Sequence, residues 1–230
     1  MVKATEKRIY FTRHAQAEHN VAEDYSIRDA PLTALGREQS KALNEATQDG
    51  IQKTAELLVT SGMRRPMSTM ILGFPELRKR LEAEGKPVIV LASLQECNAH
   101  PCDCGSSREE LEADPEYAGL DLSDLKPDWN SKKGFYATDV ASLQARARWN
   151  RRWLRGRPEK EIVVVAHGDC LRYITDGWNS GKPWANTEVR AYTFASEDDD
   201  DAKLIPLGKT AQEGTDEPTS SGFTPGSSTY

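Results

Sequence analysis

The sequence predicts an α/β domain, a three-layer sandwich with a mostly parallel central sheet flanked by helices. Three observations predict it. Short runs of β-branched and aromatic residues alternate with longer stretches of helical spacing. Ile162–Ala166 is continuously apolar, as a strand buried on both faces must be. No internal repeat is visible that would argue for a solenoid or propeller.

Each element has a local reason. The first strand is expected at Arg8–Thr12, with Ile9-Tyr10-Phe11 at its centre, and runs straight into Arg13-His14. A polar loop follows to Pro31. Thr33 is placed to cap a helix from Ala34 to Asp49, with Leu35, Ala42, Leu43 and Ala46 on one face and Gly50 as its stop. Leu57–Thr60 reads as the second strand. A helix from Pro66 follows, because proline is tolerated in a first turn. Pro75 breaks or restarts it, and the helical pattern continues to Glu84 before Gly85. Val88–Leu91 is the third strand. The segment 94–137 reads as irregular, with a short helix at Arg108–Ala113 behind the capping box Ser107-Arg108-Glu109-Glu110. Thr138 is expected to cap a long helix from Asp139 to Arg155. A helix from Gly168 to Trp178 follows the Ile162–Ala166 strand, and Val189–Phe194 alternates as the last strand.

Composition narrows the function classes. With 230 residues the chain suits one large domain. From Gly208 onward Gly, Ser, Thr, Pro, Gln and acids dominate, which predicts a catalytic domain over 1–207 and a flexible low-complexity tail over 208–230. Lys and Arg number 30 against 36 Asp and Glu, a formal charge of −6, which argues against nucleic acid as a partner. The acidic run Glu197–Asp201 reads as a solvated loop. No apolar stretch is long enough to span a bilayer, so no membrane partner is expected. The N-terminus lacks the pattern of a signal peptide. Four cysteines make no disulfide framework in a chain of this size, and a cytoplasmic location fits. Oligomeric state is not legible.

In sheets of this kind ligands bind beyond the carboxyl ends of the strands. There the chain places Arg13-His14, Ser61-Gly62-Met63-Arg64-Arg65, Leu94-Gln95-Glu96 and His167-Gly168. Two arginine positions, two histidines and one carboxylic acid thus converge on one edge. Arginine forks match the oxygens of a phosphate monoester. Imidazole can attack phosphorus and form a covalent intermediate. A carboxylic acid can protonate the leaving alkoxide and then activate water. Such chemistry needs no metal or cofactor, because arginines and histidines neutralise the charge.

The run Phe11-Thr12-Arg13-His14-Ala15-Gln16-Ala17-Glu18-His19-Asn20 resembles the Arg-His-Gly signature of the histidine phosphatase (phosphoglycerate mutase-like) superfamily. Asp29-Ala30-Pro31-Leu32-Thr33-Ala34-Leu35-Gly36 is similar to its Asp-x-x-Leu-Thr-x-x-Gly stretch, Ser61–Thr69 to its Ser-Pro-Leu-x-Arg-Ala-x-Gln-Thr block, and Val163–Gly168 to its second histidine. The resemblance implies His14 as the phosphorylated nucleophile. It implies Arg13, Arg65 and His167 as the phosphate pocket, Glu96 as proton donor, and Asn20 and Gly168 as substrate contacts. Motif register selects Arg65 over Arg64, which is then expected to face solvent. Ala15 stands where the family has glycine, and Gly62 where it has proline. The Arg-His-Ala-Gln form, with Pro101-Cys102-Asp103 and Trp184–Glu188, looks like a plant and fungal branch of phosphoglycerate mutase-like proteins. The implied activity is metal-independent hydrolysis of a small phosphate monoester, of the histidine acid phosphatase type. A phosphomutase and a non-catalytic phosphate-binding or interaction module are the alternatives. Hydrolysis is favoured because Cys97–Ser107 carries no Lys or Arg to hold a bisphosphorylated substrate.

Rival readings are weaker. Cys102–Arg108 fits Cys-x5-Arg, the phosphate loop of cysteine-dependent phosphatases, but Asp103 puts a negative charge in the anion cradle. Cys97, His100, Cys102 and Cys104 lack the spacing of a zinc knuckle. His19 reads as a packed or hydrogen-bonded loop residue, Trp149 and Trp153 as packing residues, and the arginines from Arg146 to Arg157 as solvated.

Overall fold

A computed structural model describes residues 2–208, 211, 213 and 214. Its elements are β1 (Arg8–Arg13), α1 (Glu18–Val21), α2 (Ala34–Thr47), α3 (Ile51–Thr54), β2 (Leu57–Ser61), α4 (Arg64–Gly73), α5 (Pro75–Ala83), β3 (Ile89–Leu91), α6 (Arg108–Glu112), α7 (Val140–Gly156), β4 (Glu161–Ala166), α8 (Gly168–Asp176), β5 (Val189–Phe194) and β6 (Leu204–Pro206). The sheet order is β3-β2-β4-β1-β5-β6. The first four strands in that order are parallel, and β5 and β6 close one edge antiparallel.

Strand alternation builds the layers. Ile9, Phe11, Leu57, Val59, Ile162 and Val164 pack against Leu143 and Leu154 of α7 and Leu171 and Ile174 of α8. The intervening Tyr10, Leu58, Val163 and Val165 pack against Leu43 of α2, Met70 of α4, and Leu77 and Leu81 of α5. Both faces are therefore apolar, which is why the central strands lack the polar alternation of a half-exposed sheet. The mostly parallel three-layer architecture predicted above is the one observed.

Differences from the sequence reading are local. Asp139, not Thr138, caps α7, its Oδ1 accepting from Ser142 N at 3.0 Å. That choice adds a negative charge at the helix N-terminus. Gly177, at φ 80°, ends α8 before Trp178, as left-handed glycine caps do. β6 was not expected; it has three residues, two of them exposed, and leaves no periodicity to read. Segment 94–137 holds the short helix expected in it, α6, and also a small core of its own that was not expected. There Leu111, Tyr117, Leu122, Leu125 and Trp129 pack on Met63 and Met67. The acidic run and the arginines of α7, each expected to be solvated, meet instead. Arg148 pairs with Asp201 at 2.7 Å and Arg152 with Asp200 at 3.3 Å, while Arg146 and Arg151 are buried. Opposite charges far apart in sequence thus dock the β5–β6 connection onto α7. The tail expected over 208–230 lies mostly outside the described residues; within them, Ala211 N donates to Val189 O at 2.7 Å.

Candidate active site

Four strand exits converge as the topology requires. Arg13 is the last residue of β1 and His14 the next; Ser61 ends β2; Arg65 lies in the first turn of α4; His167 follows β4; and Glu96 follows β3 through one short turn. Arg13, His14, Arg65, Glu96 and His167 are all buried.

The His14 ring is held in one tautomer. Its Nδ1 lies 2.7 Å from Ala15 O, a carbonyl that can only accept, so Nδ1 carries the proton. Its Nε2 accepts from Arg65 Nε at 3.1 Å, so Nε2 carries a lone pair. Burial, then the Arg65 and Arg13 guanidiniums, hold its pKa well below the usual imidazole value, which keeps the ring neutral. Ala15 N donates to Thr69 Oγ1 at 3.0 Å, and Asn186 Nδ2 donates to His14 O at 3.0 Å. The His167 ring lies 5.2 Å from that of His14, with its Nε2 3.0 Å from Ser61 Oγ. Its Nδ1 is buried with no hydrogen-bond partner among the described residues. Burial and Arg65 keep His167 neutral as well.

The Asp29–Gly36 stretch supports this loop. Gly36 sits against Gln16, where a Cβ would come within 2.0 Å of Gln16 O. Asp29 is fully buried and ties two segments together, accepting from Arg64 N at 3.0 Å and Ser106 N at 2.8 Å. Arg64, expected in solvent, is instead paired with Asp114 at 2.5 Å, because segment 94–137 folds over α4.

Arg65 is fixed on every side. Beyond the bond to His14, Nη1 donates to Cys102 O at 2.7 Å and Nη2 to Asp103 Oδ1 at 3.2 Å. Arg13 Nη1 donates to Trp184 O at 2.5 Å. Burial lowers the Arg13 pKa to about 10, so it stays charged at neutral pH. The Cys-x5-Arg segment makes no anion cradle. Burial and then Asp103 push the Cys102 thiol up to about 12, and Arg108 pairs with Glu112 at 2.6 Å. Its glycine, Gly105, lies under Trp129, where a Cβ would clash.

Glu96 Oε1 accepts from Cys97 N at 2.9 Å and from Cys170 N, in the first turn of α8, at 3.0 Å. Its Oε2 takes no hydrogen bond among the described residues. Gly168 opens α8 and is buried. Asp169 beside it pairs with Arg172; burial, then Glu96, raise its pKa to about 6. Asn20 is half-buried on α1. It donates from Nδ2 to His19 Nε2 at 3.0 Å and accepts from Ala17 N. His19 is buried on α1 rather than in a loop, its ring 6.2 Å from that of His14. Among the described residues no three His, Cys, Asp or Glu side chains form a set that would hold a metal ion.

A model of the histidine phosphatase superfamily (branch 1) matches residues 9–196. The chain belongs to that superfamily. It is similar to a probable phosphatase of Schizosaccharomyces pombe, 32% identical over 74% of this chain and 78% of that one. Phosphoglycerate mutase-like protein 1 of Arabidopsis thaliana is 28% identical over 72% of this chain and 69% of that one. The fold also matches a mutant phosphoserine phosphatase of Entamoeba histolytica in complex with phosphoserine, with a TM-score of 0.55, 17% identity, and 88% and 95% of the two chains covered. Membership of the histidine phosphatase superfamily supports phosphatase chemistry.

Several contacts of the site escaped the sequence reading, even where the residues lay in quoted stretches, as Asp103 and Asn186 do. Asp103 on Arg65 and Asn186 on His14 come from loops without periodicity. So does Lys132, whose Nζ donates to Glu96 O at 2.7 Å, with Arg146 Nη2 on the same carbonyl at 3.4 Å. The absence of Lys and Arg from 97–107 therefore does not leave the surroundings of Glu96 without cations. No helix among the described residues is long and apolar enough to cross a membrane.

Proposed function

We propose that this chain hydrolyses a small phosphate monoester through a phosphohistidine on His14, with Glu96 as proton donor and no requirement for a metal ion. The observation that carries this reading is the neutral His14 ring, with Nδ1–H on Ala15 O and the Nε2 lone pair facing the Arg65 guanidinium. In the first step Nε2 attacks phosphorus, the ester P–O bond breaks, and Glu96 gives its proton to the leaving alkoxide. Arg13, Arg65 and His167 take the equatorial oxygens, and Nδ1 of His167, without a partner among the described residues, supplies one further hydrogen bond. In the second step water attacks phosphorus and yields a proton to Glu96. The P–N bond breaks, and its electron pair returns to Nε2. Asn20 and Gly168 line the substrate side in this reading. The four free cysteines favour a reducing, cytoplasmic setting.

The test is hydrolysis of an aryl phosphate with EDTA present, comparing the wild type with His14→Ala and Cys102→Ser. Loss in His14→Ala and retention in Cys102→Ser is expected. Loss in Cys102→Ser alone, or activity only on metal addition, overturns the reading. Supplying an alcohol acceptor and measuring where the phosphoryl group goes separates hydrolysis from mutase transfer.

A further inference from the structure

Two aromatic side chains stand at the rim of the site. The Tyr25 and His100 rings stack with centroids 5.3 Å apart and planes 27° from parallel. Both residues are exposed, Tyr25 to 39%. Hydrogen bonds tie their segments to each other and to the phosphate pocket. Cys102 N donates to Tyr25 O at 3.1 Å, and Cys102 O accepts from Arg65 Nη1 at 2.7 Å. Asp29 N donates to Pro101 O at 3.3 Å, and Arg28 Nη2 to Gly105 O at 3.1 Å. Burial raises the Tyr25 hydroxyl pKa, with Glu23, Cys102, Asp103 and Asp169 adding to it, so the side chain lies within electrostatic reach of the acids beside Arg65 and Glu96. The hydrogen bonds already join the two loops, and the rings keep surface in water that a pair serving packing alone would cover.

Position gives the stack a use. His14, His167, Arg13 and Arg65 are almost sealed, so an ester with its phosphate among them leaves its alcohol portion on the Glu96 side, toward solvent. The chain leaving Glu96 and Cys97 surfaces at Asn98 to Pro101, and the chain leaving Asn20 surfaces at Val21 to Ser26. The Tyr25–His100 stack joins these two stretches. Stacking occupies one face of each ring and leaves the other for a third ring. Residues 20–25 and 98–101 include Glu23 and Asp24 and no Lys or Arg, which suits an uncharged body and disfavours a second anion. We infer that the Tyr25–His100 stack seats the leaving alcohol and selects phosphate esters whose alcohol carries an uncharged aromatic ring. The inference rests on the phosphatase reading above. A structural latch between the two loops is the competing explanation.

The experiment compares ethyl, cyclohexylethyl and phenethyl phosphate for the wild type, Tyr25→Leu, Tyr25→Phe and His100→Leu. All three are esters of primary alcohols, and the two ring esters differ in flatness and aromaticity rather than in size. Vanadate binding serves as an independent probe of the phosphate pocket. The wild type is expected to favour phenethyl over cyclohexylethyl phosphate by roughly 2- to 10-fold in kcat/KM, the weight of an aromatic pair beyond its buried area, and over ethyl phosphate by more. Tyr25→Leu should bring the ratio of the two ring esters near one, mainly through KM, with vanadate affinity retained. His100→Leu should lower that ratio, and Tyr25→Phe should keep it. An equal loss on all three esters, or weakened vanadate binding, in Tyr25→Leu overturns the inference in favour of the latch. A wild type that treats the two ring esters alike overturns it as well. A wild type that neither binds vanadate nor hydrolyses any ester overturns the phosphatase reading itself, and with it this inference.

Discussion

The Nε–H of Arg65 donates to Nε2 of His14 at 3.1 Å, so one guanidinium holds the lone pair of the proposed nucleophile before any substrate arrives. The same group is anchored by Cys102 O and Asp103. Lysine keeps the charge but loses the fork. Arg65→Lys is therefore expected to lower kcat/KM by roughly 100- to 1,000-fold, as loss of an oriented transition-state donor does. Near wild-type activity in a folded variant would show that charge alone suffices.

His14 and His167 are held well below the usual imidazole pKa by burial and then, for both, by Arg65. The proposed nucleophile should thus stay unprotonated as pH falls through 6.5, the ordinary imidazole value. The acid limb of kcat/KM should lie below that pH. A limb at the ordinary histidine value would contradict a buried neutral His14.

Stability should respond to the same burial. The His19 pKa is lowered to about 2 by burial, then Arg65 and Arg13. The unfolded state then binds a proton below about pH 6.5 that the folded state refuses, so stability falls as pH falls. Asp169, raised to about 6, acts oppositely, since its folded form takes up the proton first. Comparing the wild type with His19→Gln cancels the carboxylate contribution. The wild type should lose about 1.4 kcal/mol per pH unit more than the variant between roughly pH 3 and 6. Parallel denaturation curves in the two proteins would refute this.

Glu96 also caps α8 through its contact with Cys170 N. Glu96→Gln keeps an accepting oxygen for both amides and removes the transferable proton. Turnover of alkyl esters should drop by roughly 100- to 10,000-fold, with a smaller loss on aryl phosphates, whose leaving groups need less protonation. Equal losses on both ester types would argue against a proton donor.

Gly36→Ala pushes a methyl group into Gln16 O, a backbone atom two residues past His14. Overpacking of this kind costs about 1–3 kcal/mol, and a lower Tm is expected together with reduced activity. An unchanged Tm would mean that the loop yields without cost.

Much of this was legible because the signals are local. Ile162–Ala166 needs only its own apolar run to be read as a central strand, and Arg13-His14 needs only the strand before it. Thr33 was readable as a cap, its Oγ1 accepting from Gly36 N at 2.9 Å, because the cap and its helix are adjacent. Asp29 was readable only as part of a motif. Its role, joining the amides of Arg64 and Ser106, depends on segments 35 and 77 residues away. β6 was too short for any pattern.

By itself, the sequence determined the layered α/β architecture, the strand exits, and the two histidines and arginines waiting at one sheet edge. These follow from side-chain periodicity and from residues adjoining the elements that position them. Only the tertiary structure decided that Asp103 faces Arg65, that Asp199–Asp201 close over α7, and that Lys132 reaches the carbonyl of Glu96. Those contacts join irregular segments whose spacing encodes no direction. Asp103 and Lys132 flank the segment packed around Trp129, and Asp199–Asp201 lie beside Ala202 and Leu204, which pack in the same core as Leu143 and Leu154 of α7; no local pattern records either choice.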